Sequence, residues 1–161
     1  MVAAQGLPGG ATLLNETHDN WTVACRIVEN KVRCAMTQSQ VGGEKRQRVL
    51  AIELSTGEGR NTASGVLVLP FGLRLDAGAR IAIEKGPAMA PLRFSTCVPG
   101  GCLVPLTFDA AMVTALKSSK ALSVSAKAHD SGKEVSFSIP LSGFTSALGR
   151  VAELNGSNSP R

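Results

Sequence analysis

Apolar and polar residues alternate in eight stretches of the chain: WTVACRIV, VRCAMTQ, QRVLAIEL, GVLVLP, ARIAIEK, PLRFSTC, ALSVSAKA and EVSFSIPL. A period of two places one apolar face against a core, and the Gly, Asn and Asp clusters between the stretches supply the turns. The pattern predicts a mainly β chain, with a single β-sandwich-like (immunoglobulin-like) domain over residues 20–155. Two segments break the alternation and predict short helices. In DAAMVTALKS, Asp109 is placed to cap a helix over Met112, Val113 and Leu116. In SGFTSALGRVAEL, Ser142 is the expected N-cap, and Phe144, Ala147, Leu148, Val151 and Leu154 recur on one helical face, directed at the sheet. Residues 1–19 and 156–161 show little periodicity and are expected to be a flexible lead-in, left after signal removal, and a disordered tail.

The four cysteines, Cys25, Cys34, Cys97 and Cys102, allow three pairings. CRIVENKVRC reads as two strands meeting at Glu29-Asn30, so that Val28 faces Lys31. Counting outward, Cys25 falls opposite Cys34 in a non-hydrogen-bonded pair, where Cα atoms approach to about 4.5 Å, within disulfide reach. Cys97 and Cys102 fall in the same class about a turn at Pro99-Gly100. Pro99 does not suit a primed turn, so a type II reversal with Gly100 at positive φ is expected. A thioredoxin-like centre wants two intervening residues at a helix start, and a zinc site wants CxxC or Cys/His spacings; neither pattern is present. Two structural disulfides are expected, with no metal and no cofactor, and they imply an oxidising compartment.

The composition narrows the function classes. At 161 residues the chain has the length of one domain, and its aromatic content of 4% makes the core aliphatic. The longest apolar run, Val66 to Leu73, is broken by Pro70 and Gly72 and is far shorter than the ~20 residues of a membrane helix. A net charge of +5 favours acidic partners, and GEKRQR holds the densest basic stretch, making Lys45, Arg46 and Arg48 candidates for contact with an anionic partner. The same run serves equally as a charged guard on an edge strand. Nucleic acid is disfavoured because the usual motifs are missing and few aromatics remain for stacking.

The chain resembles the invasion-associated locus B proteins, exported envelope proteins of Gram-negative bacteria. The resemblance is carried in order by Trp21-x-Val23-x-Cys25, Cys34-Ala-Met36-x-Gln38, LVLPFGLRLDAG, FSTCVPGGC and LSGF at Leu141 to Phe144. It implies export, with a periplasmic, secreted or outer-membrane-associated location, disulfides, and a role in attachment to or entry into host cells, without an established enzymatic mechanism. Trp21 and Cys25 share a strand face, which predicts a tryptophan packed over a disulfide. The residues alone leave the role of Gln38 open.

His18-Asp19 and His129-Asp130 suggest acid–base pairs, but neighbours on a strand point oppositely, and no GxSxG or comparable nucleophile signature accompanies them. Both pairs are expected in exposed turns. The expected function is therefore binding or adhesion at the cell envelope, with no catalytic residues. The alternative is a periplasmic enzyme or chaperone-like factor, which would gather titratable groups in a cleft.

Overall fold

The computed structural model describes residues 7–42, 47–56, 61–83 and 89–156. CRIVENKVRC forms the predicted hairpin. β2 (Trp21–Val28) turns at Glu29 and Asn30, whose φ angles of 51° and 65° are both left-handed, and returns as β3 (Lys31–Gly42). Two successive left-handed residues give the turn whose twist matches that of the strands it joins. Val28 pairs with Lys31 and Cys25 with Cys34.

β3 continues antiparallel into β4 (Gln47–Thr56), with a register shift between Gln40 and Val41, and β4 into β5 (Ala63–Leu69). β1 (Leu13–His18) lies outside β2; β8 (Gly101–Phe108) lies against β5, with β7 (Thr96–Val98) outside it. The order is β1-β2-β3-β4-β5-β8-β7. A smaller sheet runs β10-β9-β6, from β10 (Glu134–Pro140), β9 (Ala121–Lys127) and β6 (Arg80–Ile83). With α1 (Ala110–Ser118) and α2 (Phe144–Gly156) these make a mainly β, sandwich-like fold of two sheets and two helices.

The core is aliphatic. Val23, Val32, Met36, Leu67, Val104 and Val124 are fully inaccessible, and α2 lays Phe144, Ala147, Leu148, Val151 and Leu154 across β1–β4. Asp109 caps α1 by accepting from the Met112 amide at 2.9 Å. The Gln38 Nε2 donates to the Pro140 carbonyl at 3.0 Å and the Gln40 Nε2 to the Ser138 carbonyl at 2.8 Å. Gln38, the one buried polar side chain among the described residues, therefore fastens the large sheet to β10, the edge strand of the small one.

The LSGF segment is a docking device. The Asn20 amide donates to the Ser142 carbonyl, and the Ser142 hydroxyl to Asp19 Oδ2 at 3.2 Å. Gly143 has φ 89°, and a Cβ there would run into the His18 carbonyl, so glycine alone lets α2 start against the β1–β2 turn. Phe144 then meets Trp21 edge-on, with ring centroids 5.6 Å apart. Both rings are buried, and the aromatic partner of Trp21 is thus a helix residue rather than one of its own sheet.

Three expectations need correction. Residues 13–18 do not belong to a flexible lead-in: they are β1, paired along its whole length with β2. Its inward positions Leu14, Glu16 and His18 are largely polar, which hides the alternation. Ser142 does not cap α2, because its hydroxyl is committed to Asp19 and the helix begins after Gly143. The Pro99-Gly100 reversal is not type II, since the positive φ falls on Gly101, at 143°. A Cβ at Gly101 would press on the Leu69 carbonyl, so the close approach of β8 to the end of β5 claims this glycine instead.

Candidate functional site

Alternation along β1–β3 puts Trp21, Val23, Cys25, Val32, Cys34 and Met36 under α2 and turns their neighbours outward. Strand register arranges the outward residues in crosswise rows. Leu13, Arg26 and Arg33 form the first; Asn15, Ala24 and Ala35 the second; Thr17, Thr22, Thr37 and Glu53 the third. Small side chains make the floor, and the long ones stand at its ends. The result is a groove of about 730 Å³ whose lining includes Leu13, Ala24, Arg26, Lys31, Arg33, Ala35, Thr37 and Glu53.

Its electrostatics are one-sided. Arg26 and Arg33 sit directly opposite each other, Lys31 is close by on β3, and all three are exposed. Among the described residues none of them has an ion-pair partner; the pairs that form join Glu16, His18, Arg150 and Glu153. Like charges directly opposite across a ladder are destabilising, so this pair is not there for the stability of the hairpin.

The groove is backed by two fixtures. Cys25–Cys34 ties its central strands with Cα atoms 4.1 Å apart. Where β4 ends, Asn155 of α2 replaces it: its Oδ1 accepts from the Cys34 amide at 3.0 Å, and its Nδ2 donates to the Cys34 carbonyl at 3.4 Å. The Ser55 hydroxyl donates to that carbonyl at 2.8 Å. The second disulfide, Cys97–Cys102, closes the β7–β8 hairpin at the far edge of the sheet, with Cα atoms 3.9 Å apart.

Lys45 and Arg46 lie outside the described residues. Arg48 belongs to β4, opposite Val41, and so marks the end of the β3–β4 hairpin remote from Arg33. Eight residues of β3 separate Val41 from Arg33, a span of roughly 26 Å. Arg48 and the cationic groove therefore lie towards opposite ends of one sheet. Sequence reasoning missed the groove cations because they are spread over both arms of a hairpin; the register that pairs the cysteines already places Arg26 opposite Arg33.

The histidines separate as well. His129 is in an exposed turn. His18 is not: it ends β1, with Nδ1 2.6 Å from the Ser146 hydroxyl and Nε2 3.2 Å from Glu16 Oε1. Serine, imidazole and carboxylate in line resemble a nucleophilic triad, but Glu16 already accepts from Arg150 at Nε and Nη2, both 2.9 Å. A carboxylate neutralised this way is not left to stabilise an imidazolium. The network clamps α2 to β1. The Arg150 guanidinium, hydrogen-bonded to Glu16, holds the Glu16 carboxyl below its ordinary value of 4.5, against the opposing effect of burial. A depressed folded pKa contributes stability that is present above the unfolded value and lost as pH falls through the folded one. Thermal melts between pH 6 and pH 3 are expected to fall more steeply in the wild type than in E16Q; parallel profiles would show that the clamp carries no such linkage.

No three described His, Cys, Asp or Glu side chains are grouped to hold a metal ion, and no described helix is long and apolar enough to cross a membrane. Fold and site together define a disulfide-stapled β-sandwich domain that presents an open cationic groove. The family described as Invasion associated locus B (IalB) protein matches residues 21–152, and the chain belongs to that family. It is 44% identical to the Invasion protein B homolog of Brucella abortus strain 2308, over 94% of this chain and 86% of the relative. It is 33% identical to Invasion protein B of Bartonella bacilliformis, over 92% and 80%. The crystal structure of invasion associated protein b from Bartonella henselae superposes with a TM-score of 0.80 at 32% identity, covering 88% of this chain and 96% of that one.

Proposed function

We propose that this protein is exported to an oxidising compartment, periplasmic or secreted and outer-membrane associated, and works there by binding an anionic envelope or host-surface component rather than by catalysis. The observation that carries this reading is the cation set at Arg26, Lys31 and Arg33, which has no ion-pair partner among the described residues, on a chain of net charge +5. Exposed cations without partners draw anionic surfaces and speed encounter with them. Two disulfides support the address, since such bridges persist outside reducing compartments. The relatives are named for invasion, and attachment to or entry into host cells is the process this binding would serve. Purified, oxidised protein is expected to cosediment with vesicles containing anionic lipid and to remain in solution with purely zwitterionic ones. Equal sedimentation with both would contradict the reading.

A further inference from the structure

We infer that the groove across β1–β3 is a discrete binding site for a phosphorylated saccharide about two sugar rings long. The inference goes beyond general attraction to anionic surfaces, and it concerns the end of the sheet remote from Arg48.

Three features select the ligand. Arg26 and Arg33 face each other in register with Lys31 close by, giving two planar guanidinium forks and an ammonium without an ion-pair partner among the described residues. Paired guanidinium forks suit the oxygens of a single phosphate, which also relieves the repulsion between them. Next to the cations the floor is flat and small, with Ala24 and Ala35 at its centre and Asn15 and Thr37 beside them. Alanines admit the C–H face of a sugar ring closely, while the amide and hydroxyl meet its hydroxyl groups.

The third feature sets polarity and length. Glu53 is exposed, pairs in register with Thr37, and enters no ion pair among the described residues. Thr37 lies four residues along β3 from Arg33, so the carboxylate stands roughly 13 Å from the cation row, about the length of a disaccharide phosphate. A carboxylate there accepts from hydroxyl donors and repels a second anion. A ligand with one charged end and a hydroxylated body fits this polarity; an extended polyanion runs its charge into Glu53.

The test uses the full oxidised chain, with trehalose 6-phosphate, trehalose and inorganic phosphate as probes, followed by titration calorimetry and by amide chemical shifts. Trehalose 6-phosphate is expected to bind at least tenfold more tightly than either trehalose or phosphate alone and to shift the amides of Ala24, Ala35 and Thr37. R26Q/R33Q should weaken it at least tenfold while melting at or above the wild-type temperature. E53Q should weaken trehalose 6-phosphate and leave inorganic phosphate unchanged. Trehalose 6-phosphate binding no better than phosphate, or unaffected by R26Q/R33Q, or shifting only residues 43–48, would overturn the assignment. So would a sulfated heparin fragment that binds more tightly than trehalose 6-phosphate and equally to the wild type and to E53Q. Since the probes are soluble, a failure of vesicle binding bears on the proposed function and leaves this result to be read by itself.

Discussion

Phe144→Ala is expected to destabilise the protein by about 3–5 kcal/mol, because a fully buried ring is removed and the space it leaves cannot be refilled by rigid strands. Phe144 is 1% exposed and meets Trp21, also 1% exposed, edge-on at the point where α2 begins. Gly143 and the Asp19–Ser142 hydrogen bond fix the backbone on both sides of that contact, so little relaxation is available to soften the loss. Phe144→Leu keeps most of the volume and should cost less than half as much. Chemical denaturation of both variants checks this. A loss under about 1 kcal/mol for Phe144→Ala would mean that α2 is not held through the aromatic pair.

The second large effect concerns the staple beneath the groove. Removing Cys25–Cys34 as the double alanine variant should cost about 2–4 kcal/mol, since a cross-link nine residues apart restricts the unfolded chain and both cysteines are buried. The equivalent change at Cys97 and Cys102 should cost less. That loop is shorter, with a separation of five, and its strand β7 is exposed throughout. Denaturant midpoints of the two double variants under oxidising conditions rank them; a larger loss for the β7–β8 pair would reverse the account of which bridge supports the core.

Most of this architecture was legible in the alternation, and the places where it failed have physical causes. The β2–β3 hairpin and both cysteine pairs follow from counting outward from two turns, because a two-residue reversal fixes every later partner. β1 escaped since Glu16 and His18 face inward to hold Arg150 and Ser146, substituting an ionic clamp for an apolar face. β8 escaped in part because Pro105 interrupts its pattern; the strand continues regardless, pairing Val66 with Pro105, while β7 reaches no further along it than Leu103. Gln38 was unreadable alone, for its partner is a carbonyl 102 residues away. The basic stretch was visible as a run, whereas the groove cations needed the register to bring them together.

The proposed function rests on one claim, that this chain binds anionic envelope material through charge, carried by cations without an ion-pair partner among the described residues. A salt series measures it most directly: binding of the oxidised protein to anionic envelope vesicles, in the wild type and in R26Q/K31Q/R33Q, as ionic strength shortens the Debye length from ~10 Å at 0.1 M to ~3 Å at 1 M. The account predicts that wild-type binding weakens steadily across the series and that the triple variant binds less at low salt with a shallower dependence. Binding that is insensitive to salt and equal in the two proteins would contradict it.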